Sequence, residues 1–106
     1  MNCKCGLKLL HGQYQIECAL SGGGFGITYL ARDSLDRRVV IKECFAEGIC
    51  YRTEGLVAPI EPAYAKQYKT VLRHFLREAQ WLARSVHPGI VGIHQVFREN
   101  NTAYIA

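Results

Sequence analysis

The sequence predicts an α+β fold: a five-stranded antiparallel curled sheet with one long helix packed on it. Three observations predict it. Short runs of β-branched and aromatic residues recur between turn signals. The segment from 63 to 85 places apolar residues at spacings of three and four, the period of a helix with one buried face. At 106 residues, 49% hydrophobic and 21% charged, the chain carries enough apolar side chains for one lean core and too many for a disordered tail. No apolar run approaches the roughly 18 residues a spanning helix needs. The stretch from Met1 to Gly12 lacks the apolar segment of about 7–15 residues that marks a secretory signal, so none is expected.

Each element follows in order. Gln13–Leu20 alternates partly and reads as a strand, which the glycine-rich stretch Ser21–Gly26 breaks. Ile27–Arg32 is a second strand, Asp33–Asp36 a turn cluster and Arg37–Cys44 a third strand, together an antiparallel meander. Phe45–Pro62 shows no period and holds Gly48, Gly55, Pro59 and Pro62; it reads as a long irregular connection. The helix, Ala63 to Ser85, presents Tyr64, Tyr68, Val71, Leu72, Phe75, Ala79, Leu82 and Ala83 on its apolar face. Lys66, Lys69, Arg73, Arg77 and Arg84 lie largely off it, Pro62 sits near the first turn and Pro88 ends the helix. Gly92–Glu99 is a fourth strand and Thr102–Ala106 a fifth. Asn100-Asn101 is the turn between them, since asparagine tolerates positive φ.

Charge and cysteine content exclude several functions. Thirteen basic and nine acidic residues leave a net charge of +4, too mild to argue for nucleic acid. The basic residues cluster on one helix with little aromatic interleaving, as on a solvated face, so no nucleic-acid partner and no membrane contact are expected. Cys3, Cys5, Cys18, Cys44 and Cys50 are an odd, irregularly spaced set, which reads as reduced thiols in the cytoplasm. Cys3 and Cys5 form a C-x-C pair with His11 and Cys18 nearby in sequence. No second spaced pair follows, so no metal site is expected.

Two constellations carry chemistry. The loop Ser21-Gly22-Gly23-Gly24-Phe25-Gly26 between strands can lay backbone N–H groups over phosphates; a flexible turn is the plainer alternative. A Rossmann loop is excluded because a strand follows, and a Walker loop because no Gly-Lys-Ser/Thr follows. Val39-Val40-Ile41-Lys42 sets a lysine in an apolar strand, where its amine needs a partner or a path to water. Glu78, beside the apolar stripe of the helix, is either that partner or a solvated residue paired along the helix.

Taken in order, the pieces form a specific pattern. Leu20 to Arg32 with its glycine loop is followed by Val39-Val40-Ile41-Lys42, then Phe75-Leu76-Arg77-Glu78-Ala79, then His87-Pro88-Gly89-Ile90-Val91. From about Leu10 to Ala106 the chain resembles the N-terminal lobe of a protein kinase, in particular of the bacterial serine/threonine kinases that are like the eukaryotic ones. The resemblance implies that Gly23 and Gly26 are the second and third glycines of the loop over the ATP phosphates, with Phe25 at the tip. It implies that Lys42 pairs the α- and β-phosphates and that Glu78 on helix C holds that lysine. Leu20, Thr28 and Val40 would roof the adenine, Ser21, Gly22 and Gly24 would complete the cofactor-binding loop, and Leu82 and Ile93 would belong to the apolar spine beyond helix C. Residues 1–11 are then an N-terminal extension and 45–62 an insert before helix C. Lys42 and Glu78 stand 36 positions apart, longer than is usual in kinases, an insert associated with this bacterial group. Ser21 stands at the first glycine, Thr28 where valine is usual, and Val40 where alanine is usual.

The resemblance implies a serine/threonine kinase that moves the γ-phosphate of ATP to protein hydroxyls. No H-R-D-x-x-x-x-N string and no D-F-G occurs in the 106 residues, so these residues alone are expected to be inactive and Mg²⁺ to bind only with a C-terminal lobe. With one wall of the nucleotide site, ATP affinity is expected to be roughly millimolar, about −4 kcal/mol. A solvated Lys42–Glu78 pair is worth only about 0–1 kcal/mol. Leu82, Ile90, Val91, Ile93 and Tyr104 are expected to form an apolar patch toward the second lobe, and self-association through it is expected. The partners are therefore ATP, a C-terminal lobe or protein substrate, and a second copy. The alternative function is a free-standing, non-catalytic interaction module with the same fold.

Overall fold

The structure is a computed structural model and describes residues 6–10, 12–22, 26–53, 56–84, 93 and 95–106. In chain order the strands are β1 (Lys8–Leu9), β2 (Tyr14–Ser21), β3 (Gly26–Asp33), β4 (Arg38–Cys44), β5 (Cys50–Thr53), β6 (Leu56–Pro59), β7 (Val96–Glu99) and β8 (Thr102–Ile105). A 3₁₀ turn at Pro62–Tyr64 leads into helix α1 (Ala65–Arg84). One antiparallel sheet runs β1-β2-β3-β4-β8-β7, and β5 pairs with β6 alone. Two bulges in β2, between Ile16 and Cys18 and between Ala19 and Ser21, add the local twist that curls the sheet.

Alternation sorts the side chains into two faces. Ile27, Tyr29 and Ala31 of β3 and Ile41 of β4 are buried with Tyr14, Ile16, Phe97 and Tyr104. The rings of Tyr14, Phe97 and Tyr104 stack in sequence, with centroids 5.9 and 5.1 Å apart. The opposite face of β3 and β4 carries Thr28, Val40 and Lys42, as a two-residue period requires. Helix α1 lies against β4 and β8 with Leu72 on Cys44 and Ala103. Burial pushes the Cys44 thiol up to about 11.

The five expected strands are all present, and the long helix covers nearly its expected range. Lys8–Leu9, read as part of an extension, adds a sixth strand at the sheet edge. Two residues are too few to show a period, but Leu9 is buried opposite Tyr14. The connection 45–62 is not irregular. It contains the β5–β6 hairpin, with Cys50 opposite Pro59 and Thr53 opposite Leu56. The fourth strand is described from Val96, with Ile93 and Gln95 outside it; Gly92, its expected start, lies outside the described residues, and Gln95 still exchanges backbone hydrogen bonds with Ala106. On the helix Leu76 packs on the core, whereas Ala83 is exposed. Tyr104 is not part of an exposed patch: it is fully buried, with its hydroxyl 2.7 Å from Glu43 Oε2. Ile90 and Val91 of that expected patch, and Pro88 as the helix stop, lie outside the described residues.

Asn100 and Asn101 both adopt positive φ, 54° and 61°, as the expected turn requires. The turn is also a junction. The Val57 N–H donates to Asn100 O at 3.0 Å, and Asn101 Nδ2 donates to Val57 O at 2.7 Å, so β6 is fastened to it. The Tyr68 hydroxyl of α1 donates to Asn101 O. Asn100 Nδ2 donates to the Tyr104 hydroxyl at 3.1 Å.

Candidate functional site

A cleft of about 530 Å³ opens between the glycine-rich end of the β2–β3 hairpin and α1. Ser21, Gly22, Gly26, Thr28 and Lys42 line its sheet side, and Thr70, Val71, His74, Phe75 and Glu78 its helix side. Register explains the sheet side: Thr28 is the direct cross-strand partner of Lys42, and Gly26 lies opposite Cys44. Gly26 is needed here for space. A Cβ on it would sit 2.9 Å from Lys42 Cε and 3.2 Å from the Glu43 carbonyl oxygen. The lysine stem therefore runs along bare glycine backbone. Gly22 has no such constraint, since a Cβ there would meet only Ile27 Cγ1 at 3.9 Å.

Helical spacing explains the other wall. Thr70, His74 and Glu78 recur every four residues, so they form one column on α1 facing Lys42. Lys42 and Glu78 thus share the cleft, but no ion pair within 4 Å joins them among the described residues. Six of the residues singled out by sequence meet in this cleft: Ser21, Gly22, Gly26, Thr28, Lys42 and Glu78. Leu20 and Val40 do not line it; they are 54% and 55% exposed. Leu82 and Ile93 are half-buried and do not line it. Gly23, Gly24 and Phe25 fall outside the described residues. Val71 and Phe75 were read from sequence only as part of the apolar face, and Thr70 and His74 were not singled out, although His74 and Thr70 precede Glu78 by four and eight residues, a spacing that could have found them.

Directly behind the lysine lies a polar cluster that sequence reasoning missed. Glu43 follows Lys42 on β4, so it points to the opposite face, and it is 0% exposed. Its carboxylate accepts from the Tyr29 hydroxyl at 3.0 Å and the Tyr104 hydroxyl at 2.7 Å. The Arg52 guanidinium of β5 grips it with both ends, Nη2 to Oε1 at 2.5 Å and Nη1 to Oε2 at 3.2 Å. Arg52 also sits 5.0 Å above the Phe45 ring. Burial opposes the charge on Arg52, but its hydrogen bonds to Glu43 and that carboxylate's charge hold its pKa above the ordinary value. Burial first, and the Glu43 charge second, raise the pKa values of both Tyr29 and Tyr104.

No group of three or more His, Cys, Asp or Glu among the described residues is arranged to hold a metal ion. Cys3, Cys5 and His11 lie outside those residues. Among the described residues no helix is long and apolar enough to cross a membrane.

Comparison with known proteins gives the fold and the lineage. No family model matches the chain. It is 33% identical over 99 residues to the serine/threonine-protein kinase PrkC of Bacillus subtilis (strain 168), which covers 92% of this chain and 13% of PrkC. The solved structure of the PpkA-294 apo form superposes with a TM-score of 0.88 at 32% sequence identity, over 95% of this chain and 36% of that one. The chain therefore spans a minor part of each protein it matches. The protein-kinase family uses ATP. Over nearly its whole length, then, this chain is homologous to bacterial serine/threonine protein kinases and has the fold of a protein-kinase N-terminal lobe.

Proposed function

We propose that the cleft binds the phosphates of ATP and that the chain serves as the nucleotide-roofing lobe of a serine/threonine protein kinase. One observation carries the reading: Gly26, Thr28, Lys42 and Glu78, from three separate elements, converge on one cleft, with Gly26 bare against the lysine stem. Lys42 supplies the charge for the phosphates, and the β2–β3 backbone closes over them without side chains in the way. Exposed Leu20, and exposed Val40 on the lysine side of the sheet, supply apolar surface for the base. Phosphoryl transfer needs a base and metal ligands, and no H-R-D or D-F-G occurs in these residues, so the 106-residue chain binds nucleotide without turning it over. We infer self-association through the surface expected to face a second lobe, of which Leu82 and Ile93 are half-buried, and a cytoplasmic setting, which the free thiols of Cys18, Cys44 and Cys50 support.

Titration of the chain with ATP, followed by amide chemical shifts, tests the reading. Saturable shifts at Thr28 and Lys42 are expected with a Kd of roughly 1 mM, lost in Lys42→Ala. Shifts that never saturate, or that persist unchanged in the variant, would overturn it.

A further inference from the structure

We propose that the β5–β6 hairpin is a brace for helix α1, and that Arg52 and Glu43 are positioning residues that set the helix wall of the cleft through it. An isolated two-stranded hairpin is marginal in water, so this one takes its shape from what holds it. On one side it is held to the sheet. The Arg52 fork meets the Glu43 carboxylate behind Lys42, and Val57 is bonded in both directions to the Asn100–Asn101 turn. On its other side the hairpin holds the helix. Cys50 and Val57, with Ala46, enclose Tyr68, and Val71 packs on the same cluster. Val71 is at once a contact of the hairpin core and a lining residue of the cleft.

A continuous path of packed groups therefore runs from the strand that bears Lys42 to the helix that bears Glu78. It begins at Glu43, passes through Arg52 and the hairpin, and ends at Tyr68 and Val71. Glu78 lies ten residues beyond Tyr68, about 15 Å along the axis. A small rotation at the braced end is thus carried to the carboxylate. Past Ala79 the described helix is mostly exposed, with Leu82 half-buried. A bidentate guanidinium–carboxylate pair suits this task, because its planar geometry fixes an orientation that apolar contact would leave free.

The consequence for nucleotide rests on the function proposed above; the brace itself does not. The test uses the 106-residue chain and the double variant Arg52→Met with Glu43→Gln, which removes both charges together and leaves neither stranded. Amide hydrogen exchange is read by mass spectrometry over 26–44, 50–59 and 65–76, and ADP affinity by titration. Exchange over 65–76 is expected to rise about tenfold with 26–44 unchanged, and ADP affinity to fall at least about threefold. Val57→Ala, which thins the hairpin's packing on Tyr68 and leaves the Arg52–Glu43 pair in place, is expected to raise exchange over 65–76 by about threefold and decides the matter should the double variant not fold. Loosening of the hairpin with the helix unchanged would overturn the brace, and so would equal loosening of all three segments. Absence of ADP binding by the unaltered chain would overturn the proposed function alone, since the exchange result still decides the brace.

Discussion

Lys42 and Glu43 are neighbours on one strand and live in opposite surroundings. Lys42 faces an open cleft with glycine backbone beneath its stem. Glu43 is sealed, with both oxygens gripped by Arg52 and with the Tyr29 and Tyr104 hydroxyls on it. The pleat separates them: one residue of travel moves a side chain through the sheet. The difference teaches where this fold spends its polar groups. On the sealed side the carboxylate charge is tolerable because an arginine and two tyrosine hydroxyls are built in around it. On the open side Lys42 lines the cleft and, among the described residues, makes no ion pair with Glu78 within 4 Å.

Substitutions on the two sides should therefore differ in kind. Arg52→Ala strands the Glu43 carboxylate in the core and is expected to cost about 3–5 kcal/mol, read from urea unfolding. That is a large part of the about 5–15 kcal/mol that holds a typical domain together. A loss below about 1 kcal/mol would show that the sealed side is not sealed. Alkaline titration comes next. Cys44, Tyr29 and Tyr104 all have raised pKa values in the folded chain, so the stability they contribute is complete below their unfolded values and is lost as pH rises. Thermal unfolding should hold level up to about pH 9 and then fall. Cys44 alone accounts for a loss on the order of 2 kcal/mol by about pH 11. A flat profile to pH 11 would contradict the burial of these groups.

Tyr104→Phe removes one hydroxyl from the Glu43 carboxylate and is expected to cost about 1–2 kcal/mol. The alkaline fall should become shallower in the same variant. Lys42→Ala, on the open side, is expected to stay within about 0.5 kcal/mol of the unaltered chain while abolishing nucleotide binding. A stability loss as large as that of Arg52→Ala would erase the distinction between the two faces.

The contrast also marks what the sequence discloses. Strands β2, β3 and β4 and helix α1 announce themselves, because their own periods of two and of three to four fill one face each. The glycine loop and Lys42 are legible because small residues and a lysine in an apolar run are locally costly unless the site uses them. Glu43 is not legible. Beside Lys42 it reads as another solvated charge, and its burial depends on Arg52, nine residues on, and Tyr104, 61 residues on. The β5–β6 hairpin is hidden for the same reason. Its strands have four residues each, too short for a period, and are fixed by Asn100, Asn101 and Tyr68 from elsewhere in the chain. The cleft's helix wall is an intermediate case. His74 and Thr70 stand in register with Glu78, but nothing local distinguishes a column facing a cleft from one facing water.

Strand order has a consequence for how the protein is made. In the sheet β8 lies between β4 and β7, so the edge of β4 is closed by a strand translated well after it. Tyr104 follows Glu43 by 61 positions. At translation rates of about 5–20 residues per second, the Glu43 carboxylate waits about 3–12 s for that hydroxyl. Arg52 is translated less than about 2 s after it. On a ribosome the arginine fork is thus available first, and the nascent β4 has its counter-charge before it has its neighbouring strand.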